Sequence, residues 1–109
     1  MENSVKEKIE NLINESEVML FMKGTPEMPQ GGFSAAVVGD LNHLGVNYKT
    51  STVLQEEEIR DGIKEYSDWP TIPQLYVKNE FVGGCDIIRE MHENGELTSF
   101  FEEKNIKTN

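Results

Sequence analysis

A loop that could present a reactive group lies between two apolar segments of the sequence. It runs from Lys23 to Ser34, after the apolar run at 18–22 and before a segment of helical periodicity that extends to Leu44. Its two prolines and three glycines allow the backbone to approach a ligand closely. The free N–H groups at the start of the following helix would lower the pKa of a cysteine placed there. Position 31 is a glycine, so the pattern predicts a thiol-type site without its thiol.

Any thiol chemistry of the chain itself depends on Cys85, the one cysteine of the sequence. A single cysteine excludes an intrachain disulfide and a Cys-x-x-Cys redox pair. Gly84, Cys85 and Asp86 open the last predicted helical region, where backbone N–H groups attract carboxylates and Asp86 is expected to cap the helix. Cys85 is either a small, mostly buried residue that lines a pocket or a thiol activated by the helix start. We favour the first interpretation, since free cysteines are usually structural.

Composition excludes several classes of function. Twenty acidic against ten basic residues give a formal charge of −10, which repels nucleic-acid phosphates and anionic lipid surfaces. No apolar stretch approaches the roughly 20 residues of a membrane span, and the N-terminus lacks the order of a secretory signal. His43 and His92 stand alone on predicted helices, so no metal site is predicted from them. We therefore expect a cytoplasmic protein, or an organelle-matrix protein after processing.

The elements that must position these residues follow from the periodicity of apolar side chains. The first two strands should be parallel because a whole helix separates them, and the last two are close enough only for an antiparallel hairpin with Asn79 at its turn. This order predicts one α/β domain over 1–109 with a thioredoxin-like fold, a four-stranded mixed sheet with helices on both faces. The predicted elements are a helix capped by Ser4, strands at 17–22 and 46–53, helices at 33–44 and 55–67, strands at 74–78 and 80–82, and a helical region from 85 interrupted near 94–95.

Three segments resemble the monothiol glutaredoxins, and the resemblance covers roughly residues 4–103. They are Phe-Met-Lys-Gly-Thr-Pro-Glu-Met-Pro-Gln at 21–30, Trp-Pro-Thr-Ile-Pro-Gln-Leu-Tyr-Val at 69–77 and Val-Gly-Gly-Cys-Asp-Ile at 82–87. Blocks of this length, in this order, rarely agree by chance. The family signature is Cys-Gly-Phe-Ser, whereas this chain has Gly-Gly-Phe-Ser at 31–34. The chain departs from the family at the residue that defines its active site.

The resemblance implies a pocket for the tripeptide glutathione. Arg60 resembles the family's clamp on the glycine carboxylate, for which its fork geometry is suited. Pro73 belongs to a loop that holds a cis-proline in thioredoxin folds and leaves the neighbouring backbone free to pair with an extended peptide. Without the resemblance, Lys23 and Arg60 would be surface residues, Arg60 paired with a helix glutamate, and Pro73 would start an edge strand. The glutathione-binding residues implied by the resemblance are Lys23, Arg60, Ile72, Pro73, Cys85 and Asp86.

The resemblance also implies an iron–sulfur function for the family. One cysteine from each of two protomers and the thiols of two glutathiones hold a bridging [2Fe–2S] cluster there, which requires four thiolates. Gly31 offers no donor, so no cluster and no thiol nucleophile are expected in this chain. Natural loss, a deliberate change and an error each explain the glycine, because one base change separates the codons. The family's further implied partners are BolA-like proteins, iron–sulfur apoproteins and a second protomer when the cluster is bound.

Three functions stay open on the sequence alone. The first is an iron–sulfur delivery protein of the monothiol glutaredoxin type that has lost its cluster ligand. The second is a thiol-free binding module that keeps the fold and the glutathione pocket and docks partners. The third is a glutathione-dependent oxidoreductase that acts through Cys85, and it ranks last because that thiol would approach from the wrong loop.

Overall fold

A computed structural model describes residues 1–54 and 56–108 of the chain. In this part of the chain the helices and strands follow the predicted order, and the interruption near 94–95 separates two final helices. No helix in the described ranges is long and apolar enough to cross a membrane. The elements are α1 (Asn3–Asn14), β1 (Val18–Met22), α2 (Gly32–Leu44), β2 (Lys49–Thr52), α3 (Glu57–Ser67), β3 (Gln74–Val77), β4 (Glu80–Gly83), α4 (Cys85–Glu93) and α5 (Glu96–Glu103).

The four strands form one mixed sheet in the order β2-β1-β3-β4. Strand β1 pairs in parallel with β2 and antiparallel with β3, and β3 pairs antiparallel with β4, as predicted. Lys78 and Asn79 both have positive φ, 48° and 69°, which gives the two-residue turn typical of a tight hairpin. All five residues of β1 are buried, because the strand is internal and both of its faces are covered.

Helices cover both faces of the sheet, which confirms the predicted layers. Successive side chains of a strand point to opposite faces, so β1 contributes to two separate apolar cores. Val18, Leu20 and Met22 pack with α2, α4 and α5 on one face. Met19 and Phe21 pack with α1 and α3 on the other face. The start of α2 and the start of α4, which carry the predicted site residues, therefore belong to the same side of the sheet.

Two predicted boundaries were wrong. Strand β2 covers only Lys49–Thr52, because β1 offers it partners only from Met19 to Met22. Ser4 does not cap α1: it is the second residue of the helix, and the N-cap Glu2 makes no side-chain capping bond. The N-terminal ammonium instead lies 2.8 Å from Oε1 of Glu65. Gln55, the predicted start of the third helix, lies outside the described residues, and α3 begins at Glu57.

Helices α1 and α3 approach each other closely at Gly62. A Cβ placed on this glycine would lie 2.7 Å from Cγ1 of Val5 and 3.1 Å from Cδ1 of Ile9. A Cβ placed on Gly39, in the middle of α2, would meet no described atom within 4 Å. The two glycines are therefore matched in helical context and differ in the space beside them.

We predict that Gly39→Ala and Gly62→Ala change stability in opposite directions. Alanine is favoured over glycine in a helix interior by about 0.5–1 kcal/mol, so Gly39→Ala should raise the free energy of unfolding by that amount. Gly62→Ala should lower it by about 1 kcal/mol, because overpacking against the stiff Val5 side chain outweighs the helix propensity. Urea unfolding measures both values. Equal stabilisation by both changes would contradict the close packing of α1 on α3.

Candidate functional site

A cleft of about 200 Å³ opens between the start of α2, the loop before β3 and the start of α4. It brings together Ile72, Cys85 and Asp86, three of the residues that the resemblance implied. Pro73 is buried directly behind this wall, and the Ile72–Pro73 peptide bond is cis, as expected. Two of the lining residues, Phe33 and Trp69, were not assigned to a site from the sequence. The lining consists of Phe33, Trp69, Thr71, Ile72, Gly84, Cys85 and Asp86.

A larger cleft of about 600 Å³ lies on another part of the described surface, beside the edge strand β2. Its walls are mainly polar and contain one lysine and one glutamate. The candidate site is nevertheless the smaller cleft, because only there do apolar walls, a helix start and an unpaired buried donor meet. The walls of the larger cleft are Thr25, Pro26, Glu27, Asn42, Tyr48, Lys49 and Thr50.

The loop at one side of the candidate cleft is held by the side chain of Gln74, which is completely buried. Its Nε2 donates to the carbonyl oxygens of Trp69 and Thr71, both at 3.2 Å. Its Oε1 accepts a hydrogen bond of 3.1 Å from the Tyr76 hydroxyl. Burial raises the pKa of Tyr76 to about 12, so this hydroxyl stays a donor at neutral pH. The amide thus fixes the backbone that forms the cleft wall.

The start of α4 is packed tightly against Trp69. A Cβ on Gly84 would lie 2.8 Å from the indole Nε1 and 3.3 Å from the carbonyl oxygen of Pro73, so only glycine fits there. The Trp69 N–H is buried and has no acceptor among the described residues. A buried donor without a partner is costly, so the close packing of Trp69 on Gly84 is maintained at the expense of one hydrogen bond.

Asp86 does not cap α4, so this prediction was wrong. The N-cap is Gly84, which makes no side-chain capping bond, and Asp86 is the second residue of the helix. The first backbone bond of the helix runs from the N–H of Ile88 to the carbonyl of Gly84. The N–H groups of residues 85–87 therefore have no partner within the helix and can bind an anion. The exposed Asp86 carboxylate places a negative charge beside them.

The thiol of Cys85 is partly exposed on the cleft wall. Burial raises the pKa of the Cys85 thiol most, and the nearby carboxylate of Asp86 raises it further. The charge of Arg89 lowers this pKa, and Asp40 raises it by the smallest amount. A raised pKa leaves less thiolate at neutral pH. The raised pKa therefore supports the interpretation of Cys85 as a residue that lines the pocket rather than as an activated nucleophile.

The segment that follows β1 is folded into a closed loop that positions Lys23. The N–H of Lys23 donates to Oγ of Ser34 at 3.2 Å, and its carbonyl accepts the N–H of Gln30 at 2.9 Å. Gly24 has a φ of 82°, and a Cβ there would lie 2.5 Å from the carbonyl oxygen of Met28. The loop therefore closes only with glycine at position 24, and it leaves the Lys23 side chain exposed.

The structure does not place Lys23 and Arg60 in the wall of the cleft. Arg60 lies on α3, 40% exposed, with its Nε 3.4 Å from Oδ1 of Asp61 rather than beside Glu56. Both are long, exposed side chains, and ones of this kind can reorient over a ligand. Their assignment to glutathione stays a prediction.

Gly31 is the N-cap of α2, two residues before Phe33 of the cleft lining. Its φ of 91° and ψ of 156° belong to a region that residues with a side chain rarely adopt. A Cβ placed on it would meet no described atom within 4 Å, so the space beside it is open. Phe33 is 67% exposed and Met28 is 71% exposed. Position 31 thus presents bare backbone beside open space, and exposed apolar residues precede and follow it in the sequence.

The two histidines do not stand alone, which corrects the sequence interpretation. The rings of His43 and His92 are 5.3 Å apart between centroids, and Nε2 of His92 lies 3.8 Å from Oδ1 of Asp40. Packing of α4 on α2 brings them together, which spacing along the sequence cannot reveal. Over 1–54 and 56–108, no three His, Cys, Asp or Glu side chains form a group that could hold a metal ion.

The sequence of this chain is similar to those of known proteins of one family. Residues 18–82 match the glutaredoxin family. A protein of Synechocystis described as an uncharacterized monothiol glutaredoxin ycf64-like is 55% identical over 102 residues, which cover 94% of this chain and 95% of that protein. Monothiol glutaredoxin-S11 of rice is 49% identical over 96% of this chain, but the chain spans only 21% of that longer protein.

Solved structures confirm the thioredoxin-like glutaredoxin fold. A monomeric truncated mutant of Trypanosoma brucei 1-C-Grx1 superposes with a TM-score of 0.85 at 41% identity, covering 94% of each chain. A buckwheat glutaredoxin in complex with glutathione has a TM-score of 0.79 at 23% identity, covering 96% of each chain, a similarity that concerns the fold alone.

We predict that Cys85 reacts slowly with iodoacetamide at neutral pH. Because its pKa is raised in the folded chain, the alkylation rate should reach half its maximum at a higher pH than in the same chain unfolded in urea. Asp86→Asn should move this midpoint down and Arg89→Gln should move it up, in line with the charges that act on the thiol. A folded midpoint at or below the unfolded one would contradict the raised pKa.

Proposed function

This chain belongs to the glutaredoxin family, and we propose that it is a glutathione-binding protein of the monothiol type that lacks the signature thiol at position 31. One observation carries the proposal: the cleft joins the Thr71–Ile72 backbone and the free N–H groups at the start of α4 around one space. A tripeptide with two carboxylates offers acceptors to both. The buckwheat protein of the same fold was solved with glutathione, which supports the choice of ligand.

Each part of glutathione has a complementary group in this chain. The γ-glutamyl carboxylate would bind the N–H groups of Cys85 and Asp86, and the Asp86 carboxylate would face its ammonium group. The central cysteinyl unit would pair with the backbone at Ile72, with its sulfur toward position 31, as the resemblance implies. Lys23 and Arg60 would supply the positive charge for the glycine carboxylate.

The residues of this chain do not fit a [2Fe–2S] cluster. Gly31 carries no donor atom, and Cys85, the single thiol of the sequence, has a raised pKa that disfavours the thiolate a cluster needs. The chain itself is not expected to reduce a mixed disulfide either, because that reaction begins with attack by a thiolate. We therefore propose that the iron–sulfur role implied by the resemblance is lost at the ligation step.

A thiol-free binding module is the second candidate function. The backbone of Gly31 has a conformation specific to glycine, and exposed Met28 and Phe33 flank it. This surface could contact a partner without any thiol. BolA-like proteins, iron–sulfur apoproteins and a cytoplasmic or organelle-matrix location stay predictions from the resemblance.

We predict that reduced glutathione binds in the cleft and that Arg60→Ala weakens it. A charge-assisted contact contributes roughly 1.5–3 kcal/mol, so the dissociation constant should rise about tenfold or more. Titration followed by backbone amide chemical shifts measures affinity and location together. Shifts should cluster at residues 31–34, 69–72 and 84–87.

A charge-matched control separates a specific contact from general electrostatic attraction. Lys107→Ala removes one positive charge from an exposed position outside the cleft and should leave the affinity unchanged. Shifts confined to other surfaces, or equal losses in both variants, would reject the pocket assignment.

We predict that the chain stays colourless after treatment with iron, sulfide and glutathione, whereas Gly31→Cys acquires the visible absorption of a [2Fe–2S] centre and dimerises. The cysteine must leave the glycine backbone region, so this variant should also lose about 1–2 kcal/mol of stability. Gly31→Ser is the matched control: it bears the same backbone strain without a thiolate and should stay colourless. A coloured wild-type chain would show that Cys85 or another group supplies the missing ligands.

A further inference from the structure

The last turns of α2 and α4 bring two histidines together, at the opposite ends of these helices from the cleft. His43 lies in the last turn of α2 and His92 in the last turn of α4. Their imidazole centroids are 5.3 Å apart, and the two ring planes make an angle of 76°. The His92 side chain is 24% exposed and His43 is exposed, so a small solute can reach both rings.

The spacing of the two rings is that of imidazoles bound to one metal ion. A zinc–nitrogen bond of about 2.0–2.1 Å puts the metal roughly 3.2 Å from the centroid of each ring. Centroids 5.3 Å apart then subtend about 112° at the metal, close to the tetrahedral angle. Rotation of the exposed His43 side chain can direct a nitrogen to this point. Among the described residues no group of three possible ligands forms, so water would occupy the remaining positions.

The charges around the two rings favour a cation. Asp40, three residues before His43 on α2, is only 7% exposed, and its Oδ2 is buried without a hydrogen-bond partner among the described residues. Such a carboxylate is costly unless a positive charge lies near it. Its Oδ1 is 3.8 Å from Nε2 of His92, so the carboxylate can orient this ring and leave the other ring nitrogen for a metal. The C-terminal ends of both helices add partial negative charge.

The donor atoms select the class of cation. Imidazole nitrogen suits Zn²⁺, Ni²⁺ and Cu²⁺, whereas Mg²⁺ and Ca²⁺ take oxygen ligands. We propose that His43 and His92 bind one divalent transition-metal ion, with Asp40 as a positioning residue behind His92. The ion would link α2 to α4, two helices that pack against each other and whose first turns contribute to the walls of the cleft. The proposal does not depend on glutathione binding.

Calorimetric titration of the full, untagged chain with Zn²⁺ tests the proposal. Excess Mg²⁺ in the buffer occupies the surface carboxylates of this acidic chain, so nonspecific binding is suppressed. One Zn²⁺ should bind per chain. His43→Gln and His92→Gln should each raise the dissociation constant at least tenfold, and Asp40→Asn should raise it about tenfold. The two histidines are at least partly exposed, so their variants should fold.

A charge-matched control tests the role of Asp40. Glu90 is exposed on α4 and lies about 200° around the helix axis from His92, so Glu90→Gln should leave the dissociation constant unchanged. With Co²⁺ in place of Zn²⁺, Asp40→Asn should also shift the visible absorption bands of the bound ion, which a change in stability alone would not move. Equal effects of Asp40→Asn and Glu90→Gln would reject the positioning role.

Backbone amide chemical shifts on addition of Zn²⁺ locate the ion. They should change most at residues 40–44 and 89–93. Absence of Zn²⁺ binding by the unmodified chain would overturn the proposal. Binding that survives when both histidines are replaced together would also overturn it, because Cys85 or surface carboxylates would then hold the ion. Either result leaves the proposed glutathione site standing, since the two sites share no residue.

Discussion

The candidate cleft depends on one buried amide. Gln74 is the first residue of β3 and is completely buried. Two hydrogen bonds of its side chain connect the sheet to the loop that lines the cleft, and a third comes from Tyr76 in the same strand. Removing that side chain would take a hydrogen-bond partner from two loop carbonyls and from the buried Tyr76 hydroxyl, and a buried polar group left without a partner costs about 1–3 kcal/mol. The loop in turn places Trp69 against Gly84, where the start of α4 has no room for a side chain. The geometry of the cleft is thereby tied to the core.

A second set of bonds ties the other rim of the cleft to the sheet through hydroxyl groups. Ser34, buried in the first turn of α2, accepts the N–H of Lys23, and Thr52, at the end of β2, accepts the N–H of Gly24. These side chains satisfy backbone donors where the chain leaves β1 and would otherwise lack partners. These hydrogen bonds therefore fix the positions of the Lys23 loop and of the start of α2 relative to the sheet. None of them involves a side chain at position 31.

The sequence predicted the fold well because period and spacing are local signals. The buried run of β1, the αL residue Gly45 after α2 and the tight hairpin at Asn79 all follow from short patterns. The site was predicted only in part. Ile72, Cys85 and Asp86 meet in the cleft, but Phe33, Trp69 and Gln74 were not assigned to it, because their roles arise from contacts between distant segments. The pairing of His92 with His43 and Asp40 was not predicted for the same reason, and the cap assigned to Asp86 was wrong because α4 begins two residues earlier than a cap there would require.

The glycine at position 31 changes the chemistry of the site more than its shape. Every described contact that supports the cleft involves other residues, so loss of a thiol leaves the walls, the free helix N–H groups and the Trp69 donor in place. The chain cannot form a covalent bond to a ligand sulfur at position 31, because a glycine beside open space takes the place of the cysteine of the family signature. If glutathione binds as proposed, noncovalent contacts alone hold it: the free N–H groups at the start of α4 and the positive charges of Lys23 and Arg60 would bind its carboxylates. The affinity would then not depend on the reactivity of the ligand's sulfur.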